Sequence, residues 1–234
     1  MLKPIKRFVS GLPGYNNFRK FLWYTSLRIK SPEKIFSDAI RSNQWGDAES
    51  LSGPGSNLNA TGAIRKAIPK LIEDLGVHSI LDIPCGDFNW MSQLDLEIDY
   101  TGADIVDEII QENQRKYFHP NRMFIKLDIL KGPLPKADLL LCRDCLVHFS
   151  FAHILQSLRN IRSSGCKYLL TTTFIGRKNN IDIPTGTWRP INLQIPPFNL
   201  PRPMRFIDEK YTGEEGTFAD KHLGLWLISD LNTF

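Results

Sequence analysis

His78-Ser-Ile-Leu-Asp-Ile-Pro-Cys-Gly-Asp87 is a short apolar run that ends on an acid and then enters a turn. Such a run, bounded by proline and glycine, predicts a buried strand followed by a tight turn. Upstream, Ile64, Ala67, Ile68, Leu71, Ile72 and Leu75 recur at helical spacing, predicting a helix over 59–75 with Asn59 or Thr61 as its cap and a kink at Pro69. Downstream the pattern repeats. Tyr100-Thr-Gly-Ala-Asp104 reads as a second strand ending on an acid, Met123 to Leu127 as a third ending at Asp128, Ala137 to Cys142 as a fourth and Lys167 to Phe174 as a fifth. Helical spacing fills 105–117 and 151–161 between them. Apolar strands separated by helices predict an α/β fold with a parallel sheet covered on both faces.

Beyond Phe174, residues 176–203 hold six prolines, which excludes a helix or an interior strand and predicts a long ordered loop or lid. Two further strands, 204–207 and 222–228, bring the number to seven. The final Leu223-Gly-Leu-Trp-Leu227 run reads as core strand with Trp226 packed.

The 234 residues, 42% apolar and 23% charged, suffice for one sizeable core and exclude collagen, coiled-coil and disordered classes. No uninterrupted apolar run reaches the length of a membrane span, and no apolar core of a signal peptide is present. The four cysteines, too few for a secreted disulfide framework, point to buried thiols in a reducing, cytoplasmic compartment. The net charge of +4 conceals an asymmetry: residues 1–34 hold eight basic side chains against Glu33, a balance of +7, leaving −3 for the other 200 residues. Phe8, Tyr15, Phe18, Phe21, Trp23 and Tyr24 interleave with those charges. This divides the chain into a basic aromatic extension, 1–44, and a domain, 45–234. The extension either makes peripheral contact with an anionic membrane surface, lies on an acidic polymer, or packs its aromatics on the domain. Pro4, Gly11, Pro13 and Gly14 interrupt any helix through the first 14 residues.

Asp82, Asp104 and Asp128 fall at strand ends, where open α/β sheets bind ligands, and Asp104 lies 22 residues after Asp82, the spacing of an acid that accepts hydrogen bonds from ribose hydroxyls. The turn has a single glycine and the chain has no Walker sequence, so a bound pyrophosphate is not expected; S-adenosylmethionine, without phosphates, needs fewer glycines.

Ile80-Leu-Asp-Ile-Pro-Cys-Gly-Asp87, Gly102-Ala-Asp104, Leu127-Asp-Ile129 and Asp138 through Cys142-Arg-Asp-Cys-Leu-Val-His148 resemble, in order, the cofactor motifs of class I S-adenosylmethionine-dependent methyltransferases. The likeness covers roughly residues 58–174. It implies a Rossmann-like, seven-stranded, mostly parallel sheet whose last strand is antiparallel. It also implies that the turn from Asp82 through Pro84, Cys85, Gly86 and Asp87 approaches the methionine portion, Asp104 and Ile105 the ribose side, and Asp128 and Ile129 the adenine edge. Arg143 through His148 would then face the sulfonium and the acceptor. Pro84 and Phe88 stand where many members have glycine; Phe88 and Trp90 are expected to wall the cofactor instead. The variant turn and the Cys142 to His148 run are similar to a subgroup of bacterial and viral methyltransferases, some of them similar to enzymes acting on glycans.

A hydroxyl acceptor needs its proton removed, and His148 is the candidate base, its alternative being a cap on the following helix. Asp144 is the second candidate catalytic group: it orients that histidine, binds the amino acid end of the cofactor, holds a divalent metal, which is not expected, or forms a plain ion pair. Trp188, Arg189 and Asn192 in the proline-rich segment, with Trp45 and Glu49 before the first strand, are the candidate acceptor-binding residues; the alternative is that they are structural. Two different functional classes stay beside O-methylation of a glycan or small hydroxyl acceptor. One is an N-methyltransferase or a nucleic-acid methyltransferase, although the slightly negative domain argues against nucleic acid. The other is a cofactor-binding scaffold without turnover.

Overall fold

The computed structural model describes residues 15–213 and 216–231; the interruptions expected in the first 14 residues lie outside them. Seven strands, β1 (Ser79–Asp82), β2 (Asp99–Asp104), β3 (Arg122–Lys126), β4 (Leu139–Cys142), β5 (Tyr168–Phe174), β6 (Arg205–Asp208) and β7 (Lys221–Leu227), form one sheet in the order β3-β2-β1-β4-β5-β7-β6. The first five pair in parallel, and β7 runs antiparallel to both β5 and β6. The expected Rossmann-like sheet, with its last strand reversed, is present.

The side-chain period of two sorts each strand between two cores. Leu81, Leu140, Cys142 and Leu169 pack on one face with Ile154, Leu158 and Ile161 of the helix Phe151–Ser163. Ile80, Leu139, Leu141 and Leu170 pack on the other with Ile64, Ile68 and Leu71 of Gly62–Leu75 and with Ile110 of Asp107–Lys116. Because β1 and β4 alternate between two buried faces, Ile80 and Leu81 of β1 and Leu139 to Cys142 of β4 are all apolar, which is why they read as unbroken apolar runs. Every expected element is found within a few residues of its expected ends. Thr61 precedes the first of these helices but its hydroxyl donates to the Asn57 carbonyl instead of capping it.

Among the described residues the α-helices, in chain order, are α1 (Tyr15–Ile29), α2 (Pro32–Arg41), α3 (Gly62–Leu75), α4 (Asp107–Lys116) and α5 (Phe151–Ser163). α2 starts on a sound signal: the Ser31 hydroxyl accepts from the Lys34 amide, Pro32 takes the first turn, and Glu33 faces the positive end of the helix dipole. Its Ile35 and Ala39 are buried, while Glu33 pairs with Lys126 and Arg41 with Glu108. A boundary at residue 44 therefore leaves on the extension side a helix that packs into the domain.

Residues 176–203 are irregular but built into the core, burying Ile191, Leu193, Phe198 and Leu200. Phe88 adopts the left-handed backbone that glycine favours, with φ +57°. Its ring turns away into Tyr100, Tyr117 and Phe124, with centroids 5.0 to 5.1 Å away. Truncating a buried Phe costs about 3–5 kcal/mol, whereas relieving one left-handed residue returns about 1–2 kcal/mol, so packing outweighs strain. Phe88→Gly, which relieves the left-handed backbone but removes the ring, is expected to destabilise the fold by about 2 kcal/mol or more, read as a lower denaturation midpoint; an unchanged midpoint would mean that the ring is dispensable.

Candidate functional site

One cavity opens at the carboxyl ends of β1, β2 and β4. Asp82, Pro84, Cys85, Gly86, Asp87, Trp90, Asp104, Ile105, Asp128, Ile129, Arg143, Asp144, His148 and Trp45, all singled out from sequence, line it. Chain geometry explains this convergence: parallel strands send their carboxyl ends to one edge, and the acids that end each strand meet there.

The turn after β1 is held from both sides. Asp104 accepts from the Gly86 amide at 3.2 Å and from the Val106 amide at 2.9 Å. Asp82 accepts from the Tyr100 hydroxyl at 2.6 Å. Asp87 clamps the preceding loop, accepting from the Leu51 amide at 2.7 Å and from the Ser50 and Ser52 hydroxyls. That clamp explains the glycine at 86: a Cβ there would lie 2.1 Å from Ser52 Oγ, and φ is +53°. The loop in turn presents Trp45, Ser52 and Ser56 to the cavity.

Their surroundings shift the acids in opposite directions. Desolvation raises Asp82 to about 7 against the lowering hydrogen bond from Tyr100, and raises Asp104 to about 6 against its backbone donors. Burial works to raise Asp144 as well, but Lys221 and Arg143 overcome it and hold that carboxyl at about 2. Lys221 Nζ lies 2.6 Å from Asp144, and Arg143 is bound by Glu209 at 2.6 Å and donates to the Gly55 carbonyl at 2.7 Å. Glu209 also lies 3.4 Å from Lys221, so two cations and two anions form one buried group. Asp144 is thus ion-paired with Lys221 and Arg143 while still lining the cavity. Among the described residues no group of three or more His, Cys, Asp or Glu is arranged to hold a metal ion.

His148 does not cap the next helix; Ser150 does, its hydroxyl accepting from the His153 amide. His148 Nδ1 instead lies 2.8 Å from the Thr187 carbonyl. A carbonyl only accepts, so Nδ1 carries the hydrogen, and the neutral ring keeps its lone pair on Nε2. Burial lowers His148 below 6.5 against the raising effects of that hydrogen bond and of Asp144, which favours the neutral form. Phe36 stands edge-on to the ring at 6.4 Å and Trp45 is tilted at 5.8 Å.

Five candidates stand outside the lining. Phe88 is buried in the aromatic cluster described above. Glu49 accepts from the Leu58 amide and Asn89 Nδ2, both at 2.7 Å, and so braces its own loop. Arg189 is buried because its guanidinium donates to the carbonyls of Ile181, Leu146, Val147 and Phe149, and burial lowers it to about 10. Asn192 is occupied by the Arg177 carbonyl and by the Gln194 amide. Trp188 is half-exposed, stacked edge-on against Phe218 at 4.8 Å. Residues 176–203 therefore buttress the site through Thr187 and Arg189 rather than closing over the cavity. Sequence reading passed over Phe36 and Ile40, which line the cavity from α2, and Glu209 and Lys221, which balance its charges. The spacing of Phe36 and Ile40, one turn apart, was the available signal for the first pair.

No family model matches the chain, and no curated protein matches it. Among solved structures it is similar to magnesium protoporphyrin IX methyltransferase from Synechocystis PCC 6803 with bound SAM, at 16% identity over 65% of this chain and 81% of that one, with a TM-score of 0.47. It is also similar to the N-methyltransferase NodS from Bradyrhizobium japonicum WM9 in complex with S-adenosyl-L-homocysteine, at 13% identity over 59% and 72%, with a TM-score of 0.49. A third likeness is to the methyltransferase domain of bacterial CtHen1, at 12% identity over 50% and 67%, with a TM-score of 0.43. At such identity these likenesses concern the fold, and what the site does rests on its own residues.

The raised acids have a measurable consequence. Between the ordinary carboxyl value of 3.8 and about 7, the folded chain holds the Asp82 proton that the unfolded chain has released. Stability from this group therefore falls as pH rises through that window. Asp82→Asn keeps an acceptor for Tyr100 and cannot ionise. Its melting temperature relative to the parent is expected to rise steadily from pH 4 to pH 7 in a thermal-denaturation series, and a constant offset would show that Asp82 titrates normally.

Proposed function

We infer that the protein is an S-adenosylmethionine-dependent methyltransferase acting on a hydroxyl of a carbohydrate or other small acceptor. The observation that carries this reading is one cavity in which five strand-end and turn carboxylates meet a histidine whose Nε2 is available to take a proton.

The residues present fit the cofactor. Asp82, Asp87, Asp104, Asp128 and Asp144 line a space whose arginine is already neutralised by Glu209, so the cavity suits a cationic ligand and disfavours a phosphate. Asp104 spends one lone pair of each oxygen on a backbone amide and keeps the others for ribose hydroxyls. Ile105, Val106, Ile109, Leu127 and Ile129 supply apolar walls for a purine, with Asp128 at its edge. Asp82 and the turn through Asp87 take the methionine end. When bound, the cofactor supplies a methyl group on an activated sulfonium.

The remaining work falls to the chain. Phe36, Trp45 and Phe149 form the aromatic side of the cavity beside His148 and are assigned to the acceptor, replacing Trp188, Arg189 and Asn192 in that role. Thr187 fixes the imidazole so that Nε2 receives the hydroxyl proton as the oxygen attacks. Asp144, ionised and 23% exposed, favours positive charge in the same space.

Calorimetric titration with S-adenosylhomocysteine is expected to show saturable binding that Asp104→Ala weakens and His148→Gln leaves intact. With a hydroxyl acceptor, the parent rate should rise with pH through a pKa below 6.5 and then level off, while His148→Gln loses about 100-fold or more in kcat. Absence of binding would remove the cofactor reading; binding with undiminished turnover in His148→Gln would remove the base and favour an amine acceptor. Binding without turnover on any acceptor would favour the scaffold.

A further inference from the structure

The side of the cavity around His148 is built largely from hydrocarbon. Phe36 and Ile40, one turn apart on α2, line it together with Trp45 and Phe149. The Phe36 ring lies 6.4 Å from the imidazole and 5.9 Å from the Phe149 ring, and the Trp45 ring lies 5.8 Å from the imidazole, so three aromatic planes surround the candidate base. Two of them are fixed from behind: a Cβ on Gly53, where φ is +90°, would lie 2.8 Å from Trp45 Cβ, and Phe149 is buried. Phe36, Ile40 and Trp45 are half-buried, which leaves apolar surface for a ligand to cover.

The chemistry of that surface selects among hydroxyl acceptors. A sugar carries hydroxyls around its whole ring and needs a partner for each of them on leaving water. Ser56 is one such partner from the loop, whereas Ser52 is engaged with Asp87, and Phe36, Ile40 and Phe149 supply none. A phenol carries one hydroxyl and buries the rest of its surface on carbon. Acidity points the same way. An aryl hydroxyl ionises at about pH 10, as tyrosine does, while an alcohol is a far weaker acid, nearer water at about 15.7. A base whose own value burial holds below 6.5 is therefore better matched to the aryl oxygen.

We propose that the acceptor is a planar aryl hydroxyl, its ring held among Phe36, Trp45 and Phe149 and its oxygen beside His148 Nε2. The proposal rests on the methyl-transfer reading above and narrows its acceptor. In the transfer the phenol oxygen forms a bond to the methyl carbon as the carbon–sulfur bond breaks. The bonding pair stays on sulfur, leaving a neutral thioether, and the phenol proton passes to Nε2 and then to water. The aromatic walls orient the acceptor because edge-on and offset ring contacts fix a plane as well as a place.

The test gives the full chain S-adenosylmethionine with phenol, 2-naphthol, benzyl alcohol, methyl glucoside or aniline, and reads methylated product by mass spectrometry. The two aryl hydroxyls are expected to exceed both alcohols by about 100-fold or more in kcat/KM. Phe36→Leu and Trp45→Leu should each raise KM for 2-naphthol about tenfold, while calorimetric affinity for S-adenosylhomocysteine is kept, which shows that each variant is folded. Three outcomes would overturn the proposal and leave the cofactor reading standing: an alcohol that matches the aryl hydroxyls, a preference for aniline, or no aryl ether from a chain that binds S-adenosylhomocysteine. Unchanged KM in both ring variants would overturn it as well. A chain that binds no S-adenosylhomocysteine would remove the methyl-transfer reading and this proposal with it.

Discussion

The far wall of the cavity depends on a buried group of four charges. Arg143 and Asp144 leave the end of β4, Glu209 follows β6, and Lys221 opens β7, so the group joins strands that are distant in sequence. Taking any one of these charges out of water alone would be prohibitive, and removing one partner from such a group costs about 3–5 kcal/mol because another charge is left unpaired. Two of each sign cancel. The reversed strand β7 is what makes this arithmetic work, because its antiparallel start places Lys221 opposite Phe174, at the same edge where the parallel strands end. The fold's one antiparallel insertion thus delivers a cation to the site.

The same economy is visible in the turn after β1. A glycine-rich turn would let a ligand approach the backbone; here the single glycine, Gly86, gives its space to Ser52, and Asp87 fastens the loop that carries that serine. The cavity wall on this side is therefore made by a segment folded onto the turn. Phe88 takes a left-handed backbone at that turn and packs its side chain into the core behind it.

Much of this was legible in the sequence, for a definite reason. Strand ends can be read because a short apolar run fills the covered part of each strand, so the acid that follows the run marks where the chain leaves the sheet; Asp82, Asp104 and Asp128 stood out and converge in space. Arg189 misled for the opposite reason. An arginine beside a tryptophan and an asparagine reads as ligand chemistry, yet its donors are consumed by backbone carbonyls that an irregular, proline-rich segment leaves without ladder partners. Glu209 and Lys221 carry no local signal at all, since a buried pair is recognisable only once both chains of contact are known. α2 was hidden by charge: its Lys34 and Arg41 belong to a basic stretch, although its Phe36 and Ile40 belong to the cavity.

Within one cavity, then, identical side chains are set to different tasks by what surrounds them. Asp82 and Asp104 are held at about 7 and about 6 by burial, while Asp144, a few ångströms from two cations, stays ionised down to about 2. The first two can share protons with, or accept hydrogen bonds from, a ligand's hydroxyl and ammonium groups, and such donors would draw their values back down on binding. Asp144 cannot change state near neutral pH and so contributes a fixed negative charge. His148, pushed the other way by burial, is favoured in its neutral form near neutral pH, where Asp144 is charged. The site therefore offers a ligand two adjustable acceptors at one end and a fixed charge with a neutral imidazole at the other, a polarity that would orient a cationic ligand.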